Sequence, residues 1–133
     1  MSDKWKLECH ACGWKTEGDA LATVCQDCGQ PLLVRHEDLR SPRESLAQSK
    51  RWDMWRYARQ LPLHDGEAPV SLGEGGTPLI NAPKLATAIG VTSVWVKDEG
   101  LNPTGSFKAR GMSAAVTRAK AHNVPGLVVP TAG

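Results

Sequence analysis

Two cysteine pairs constrain the start of this chain more tightly than any other feature. Cys9-x-x-Cys12 and Cys25-x-x-Cys28 hold all 4 cysteines of the 133 residues. Each pair is followed by a glycine, Gly13 and Gly29, which admits the tight, often left-handed turn of a knuckle whose amides face thiolate sulfur. The spacer between the pairs is long enough for a β-hairpin return, so the four thiolates meet and predict a closed tetrahedral Zn2+ site of the structural kind. Disulfides and an iron–sulfur cluster are the competing readings. A reducing cytosol disfavours the first, and the hairpin-like spacing suits the second less well. His10, inside the first knuckle, reads as an exposed filler rather than a ligand.

The chain divides by pattern into three parts. Residues 1–36 read as a zinc ribbon with short strands near Lys4–Leu7, Trp14–Thr16, Thr23–Cys25 and Pro31–Arg35. A module this small cannot bury enough surface without its metal. Residues 37–66 read as a helical linker, started by Ser41 as cap, Pro42 at the first helical position and Glu44 beyond. Helical segments continue to about Gln60, and Trp52, Trp55 and Tyr57 read as packing groups.

From residue 67 to 133 the character is α/β. A Gly-rich loop spans Ser71–Pro78, a helix stopped by Gly90 spans Ala82–Ile89, and a strand spans Ser93–Lys97. A second helix runs from about Ser106 to Ala121 with Phe107, Met112, Ala115, Val116 and Ala119 as its apolar face, and Asn123 as its stop. Leu127–Val129 reads as an apolar strand. Strand, helix and strand predict a right-handed crossover between parallel strands. Ligands then bind at the carboxyl ends, where the loop before Lys108 and Pro130–Gly133 both fall. The fold class expected is α/β: a small four-cysteine zinc ribbon followed by the start of a parallel-sheet α/β domain.

Lys108 stands in the first turn of the second helix. The partial positive charge there disfavours a second cation and favours a neutral amine. A lysine with a depressed pKa suits Schiff-base chemistry, although a solvated helix residue is the plainer reading. Lys97, in an alternating strand, reads as a solvent-facing lysine, and Arg110 as an ion-pair or helix-face residue.

The string Asn102 to Met112, NPTGSFKARGM, resembles the cofactor-lysine motif of the type II pyridoxal-phosphate enzymes, those of the tryptophan-synthase-β type. Ser71 to Leu79, SLGEGGTPL, is most similar to the threonine synthases within that group. The resemblance spans nearly the whole chain, ribbon included, and about the first third of a family enzyme. It implies pyridoxal 5'-phosphate as cofactor, Lys108 as the catalytic lysine that also binds it, and Phe107, Thr131 and Gly133 beside the cofactor. It implies an amino-acid substrate, conversion of O-phosphohomoserine and water to threonine and phosphate, and a homodimer as a candidate assembly of the full-length enzyme. Ala109 stands where threonine synthases commonly carry an acidic residue, which keeps a threonine or serine ammonia-lyase as an alternative. The family's later cofactor contacts are expected beyond Gly133, so residues 67–133 read as an incomplete domain, inactive by itself.

Charge narrows the partners. Sixteen Lys and Arg against 14 Asp and Glu give +2, too little to argue for nucleic acid or a membrane surface. Residues 1–36 carry four basic residues (Lys4, Lys6, Lys15, Arg35) against five acidic ones (Asp3, Glu8, Glu17, Asp19, Asp27), which speaks against phosphate contacts by the ribbon. A ribbon that makes protein contacts without catalysis remains the alternative from another class. No signal-peptide pattern and no apolar run of membrane-spanning length is present, and the expected location is cytoplasmic.

Overall fold

The computed structural model describes residues 5–37 and 43–129. The ribbon is a three-stranded antiparallel sheet of β1 (Trp5–Cys9), β2 (Lys15–Glu17) and β3 (Leu32–His36), in the order β2-β1-β3. Leu7 lies opposite Thr16 on one side and Val34 on the other. Both knuckles use the same backbone pattern. The Cys9 amide donates to the Trp14 carbonyl at 2.8 Å and the Gly13 amide to the Cys9 carbonyl at 3.1 Å; Cys25 repeats this with Gln30 at 2.8 Å and Gly29 at 2.9 Å. Gly13 and Gly29 take φ of +76° and +71°, the left-handed turn expected of them. The strand expected at Thr23–Cys25 is reduced to one isolated bridge, Val24 to Pro31. Trp5, 2% exposed, fills the ribbon, and a Cβ on Gly18 would lie 2.6 Å from its ring.

The linker is helical in two pieces, α1 (Arg43–Ala47) and a 3-10 helix over Met54–Gln60. Ser41 and Pro42, the expected helix start, lie outside the described residues. Asp53 caps the 3-10 helix by accepting the Trp55 amide at 3.0 Å, as a short acceptor does at a helix entry. Only one of the three aromatics packs as expected. Trp55 is 2% exposed, whereas Trp52 and Tyr57 are 72% and 42% exposed, with the Arg56 guanidinium 4.7 Å from the first ring's centre and 5.7 Å from the second's. Stacking on a guanidinium lets both rings stay at the surface.

In the last part, β4 (Leu79–Asn81) pairs antiparallel with β5 (Trp95–Lys97), Ile80 facing Val96. Between them α2 (Pro83–Ile89) starts on a proline and stops at Gly90, whose φ is +71°. The longest helix is α3 (Lys108–Ala121), and Asn123 behind it takes φ +54°. The expected parallel crossover is not seen among the described residues: β5 pairs with β4 on one edge, and Leu127–Val129 makes no strand pairing, with Val128 99% exposed. Pro130 to Gly133 lie outside the described residues. No helix among the described residues is long and apolar enough to cross a membrane.

The face of α3 that packs inward is also corrected. Ala109, Ser113 and Thr117 are buried, while Phe107 and Met112 of the expected apolar face are 66% and 37% exposed. Four-residue spacing puts the three small residues on one stripe. Their neighbour is loop backbone, and its polar groups need partners. The Ser113 hydroxyl donates to the Val70 carbonyl at 2.7 Å; the Thr117 hydroxyl accepts the Val70 amide at 2.9 Å and donates to the Ser113 carbonyl at 2.7 Å. A large apolar stripe would leave Val70 unsatisfied.

Gly75 seals the junction between this loop and the linker. Its φ is +106°, and a Cβ there would run into the Met54 amide nitrogen. Gly66 has φ +84° but open space around it. Alanine at either position strains the backbone by more than about 1 kcal/mol. Gly75→Ala is therefore expected to lower the thermal midpoint clearly further than Gly66→Ala, because only the former also pushes Met54 away; equal losses in a melting experiment would show that the close approach carries no energy.

Candidate functional site

The four cysteine sulfurs lie within 4.8 Å of one another. Cys9 to Cys28 and Cys12 to Cys25 are both 3.5 Å, and Cys28 to Cys12 is 3.6 Å. A disulfide needs about 2.05 Å, so all four are thiols. Tetrahedral bonds of about 2.3 Å from Zn2+ to sulfur give sulfur–sulfur edges of about 3.8 Å, so a slight expansion makes room for an ion. The two knuckles, one at each hairpin end, bring the pairs together.

Crowding splits the titration of these thiols. The amide of Cys12 leads in lowering Cys9 to about 6, with further help from the Ala11 amide and the sulfurs of Cys28 and Cys12 against some desolvation. The Trp14 amide favours the Cys12 thiolate too, but the Cys25 sulfur, desolvation and the other two sulfurs outweigh it and push Cys12 up to about 12. Cys28 is likewise raised, the Gln30 amide being outweighed chiefly by the Cys9 sulfur. Four thiolates so close need a cation among them to ionise together. His10 is exposed, its Nδ1 3.4 Å from the Pro31 carbonyl, and it stays out of the cluster.

The ribbon docks on α3 through charges. Arg118 reaches Asp19 at 2.7 Å and Glu67 at 2.9 Å, and stacks 5.2 Å from the centre of the Trp5 ring. His64 meets the same Asp19 at 2.7 Å and lies 5.5 Å from Trp5, ring to ring. Burial pushes Asp19 up, but His64 and Arg118 outweigh it and hold its pKa below the usual range. Sequence reading missed this quartet. Asp19 and Arg118 are 99 positions apart, and no local pattern links them.

Lys108 is the first residue of α3 and is exposed. A turn sets it there. The Gly105 amide donates to the Asn102 carbonyl at 2.8 Å with Gly105 at φ +69°, and the Ser106 hydroxyl accepts the Lys108 amide at 3.0 Å. Phe107 forms the helix cap. Thr131 and Gly133 lie outside the described residues, so of the four expected cofactor-contacting residues only Phe107 and Lys108 are placed.

Directly behind this turn lies a carboxylate network. Glu99 receives the Arg110 guanidinium at 2.7 and 2.8 Å, the Thr77 hydroxyl at 2.6 Å and the Asn102 amide at 2.9 Å. Arg110, foremost, together with Thr77 and Asn102, holds the Glu99 carboxyl far below the usual carboxylate range. Arg110 is thus the ion-pair residue expected. Asn102, buried, also accepts the Gly75 amide at 3.0 Å, which fastens the loop before Lys108 to the Gly-rich loop. Lys97 is not free in solvent as expected: its Nζ donates to the Thr77 carbonyl.

Residues 70–133 match the family described as "Pyridoxal-phosphate dependent enzyme". A "Threonine synthase" of Methanosarcina acetivorans is 38% identical over 117 residues, covering 86% of this chain and 28% of that protein. One from Methanocaldococcus jannaschii is 40% identical over 114 residues, covering 84% of this chain and 28% of that protein. One from Mycobacterium tuberculosis is 51% identical over 77 residues, or 58% of this chain and 21% of that protein. The chain thus spans about 28% of the length of the first two. No solved structure matches it.

Because the folded pKa of Glu99 is depressed, its contribution to stability is complete above its ordinary value of 4.5 and is lost as pH falls below that towards the folded pKa. Denaturant midpoints of the parent and Glu99→Gln should differ most near about pH 6, and the gap should narrow steadily as pH drops below about 4.5. A gap that widened on acidification would contradict the network.

Proposed function

We propose that this chain, which resembles the amino-terminal portion of threonine synthases and carries part of a pyridoxal-phosphate dependent enzyme domain over residues 70–133, serves an enzyme that converts O-phosphohomoserine and water to threonine and phosphate. The observation that carries the reading is Lys108: an exposed primary amine fixed at the start of a helix, with the Glu99 network holding the turn in front of it. The amine and its setting fit the group. Pyridoxal phosphate, when bound, supplies an aldehyde that takes up amines and a ring that stabilises negative charge on a substrate carbon.

Lys108 has two tasks in this reading. Its Nζ would hold the cofactor and would serve as the base that accepts the proton from the substrate α-carbon. Rigidity serves both, since a proton acceptor must stand within hydrogen-bond reach of its proton. The ion pair of Arg110, two positions along, and the buried Ser113 stripe keep the helix start from turning. Phe107, Thr131 and Gly133 are the residues we place beside the cofactor. For the ribbon, the sulfur separations favour structural Zn2+, held by Cys9, Cys12, Cys25 and Cys28 with no open position for water.

Ala109, 7% exposed against the core, is the observation that favours the second reading, an ammonia-lyase of the same family, since the acidic residue common in threonine synthases is not there. One assay separates the two. An enzyme of the relatives' length carrying this segment is incubated with O-phosphohomoserine and, separately, with threonine. Phosphate released together with threonine is expected; formation of a 2-oxo acid and ammonia from threonine, with no turnover of the phosphorylated substrate, would establish the lyase. Lys108→Ala should abolish turnover, and borohydride should label the peptide containing Lys108. A label on Lys97 would overturn the assignment. Residues 1–133 alone are expected to show no turnover, and Lys108-dependent phosphate release by them would refute that.

The metal is checked by elemental analysis of reduced protein. About one Zn2+ per chain is expected from one tetrahedral site, and chelation should remove the ribbon's β-sheet signal by circular dichroism. Protein that carries iron instead, or stays folded and metal-free, would refute the zinc centre.

A further inference from the structure

Across α3 from Lys108 there is a cavity of about 330 Å3 lined by Trp52, Arg56, Tyr57, Thr77, Lys97 and Arg110, with Asp53, Met54 and Gly76 completing it. Helical residues advance by about 100° each, so Arg110 leaves the helix on a different side from Lys108, which is not among the cavity's lining residues. Its charges do not balance locally. Asp53 is taken up by Arg51, at 2.9 and 2.5 Å, and Glu99 by Arg110. Glu74, the remaining carboxylate near Arg51 and Arg110, is buried among the donors Trp55, Ser71 and Leu72.

Two cations remain. Lys97 donates to the Thr77 carbonyl and Arg56 to the Leu46 carbonyl at 2.7 Å, and neither pairs with a carboxylate among the described residues. Arg56 also keeps a buried Nε with no hydrogen-bond partner among the described residues. Buried guanidinium donors without an acceptor are costly. Beside Arg56 stand the exposed rings of Trp52 and Tyr57, which hold its plane by stacking. A preorganised guanidinium and an ammonium around one cavity form a donor set for a tetrahedral dianion.

We propose that this cavity binds a phosphate group, with Arg56 and Lys97 as its ligands. A phosphate group reaches such a site either as the free anion or as a phosphate monoester. The site stands without the reading of Lys108 given above, because neither the cofactor nor the amine of Lys108 takes part.

The test titrates the 133-residue chain with inorganic phosphate and with O-phosphoserine, at ionic strength held constant with chloride. Calorimetry reads out the binding. Saturable binding of at least one probe is expected. Arg56→Gln and Lys97→Gln should each weaken it about tenfold or more, the loss of one charge-assisted hydrogen bond, and Lys108→Ala should leave it unchanged. Tighter binding of O-phosphoserine would assign the site to monoesters, equal or weaker binding to the free anion. No saturation with either probe, binding unaffected in both glutamine variants that retain the parental circular dichroism, or loss of binding in Lys108→Ala would each overturn the proposal.

Discussion

The buried carboxylate of Glu74 is the point on which the α/β part of the chain depends. It is 1% exposed and accepts from the Trp55 indole at 3.0 Å, the Ser71 hydroxyl at 3.0 Å and the Leu72 amide at 2.8 Å. Burial pushes its pKa up, but the neighbouring Ser113 hydroxyl, the Leu72 amide and the Ser71 hydroxyl outweigh it and keep it low. A buried charge is tolerable only when its lone pairs are met. The consequence is that linker, loop and helix are placed together, because the Trp55 indole also lies 2.8 Å from Ser113 on α3. A hydrophobic contact of the same area would let these three pieces slide; hydrogen bonds to one carboxylate fix their angles.

That hub explains which parts of the fold could be read from sequence. The knuckles were legible because cysteine, spacing and glycine act over a few residues, and so were the ends of α2 and α3, where Gly90 and Asn123 leave the right-handed region. The inward face of α3 was not. Periodicity selects large apolar residues, and Phe107, Met112 and Ala115 obey it, yet what α3 meets is the backbone of Val70 and the carboxylate of Glu74. Small hydroxyl residues at four-residue spacing carry no hydrophobic signal. The parallel pairing is not seen among the described residues, since a pattern of strand, helix and strand does not state which neighbour a strand bonds to, and β5 pairs with β4 on one edge only.

The site shows the same division. That Lys108 begins a helix was legible from its string, and that the four cysteines meet was legible from their spacing, since each is a local arrangement. Asp19, His64, Glu67 and Arg118 come together only after folding. So do Arg56, which no sequence pattern singled out, and Lys97, which read as a solvent-facing strand residue.

The two ends of α3 are held in different ways, and this bears on what the ribbon contributes. Near Lys108, Arg110 and Glu99 form a bidentate pair shielded by Thr77 and Asn102. About 12 Å further along the axis, at 1.5 Å per residue, Arg118 is gripped by Asp19 of the ribbon and by Glu67. Its side chain is only 14% exposed, against 57% for Asp19. Such a half-exposed pair adds little stability by itself, about 0 to 1 kcal/mol. Its value is directional, because Arg118 must meet two carboxylates and the face of Trp5 at once, and only one orientation of the ribbon provides all three. Asp19 follows directly on the tight turn where Gly18 lies under the Trp5 ring, and Trp5 opens the strand that ends at Cys9. The cysteine cluster therefore bears on α3 through a continuous path of strand, ring and guanidinium. Any stiffening of the ribbon would be felt at the far end of the helix on which Lys108 stands, while the near end is held by groups outside the ribbon.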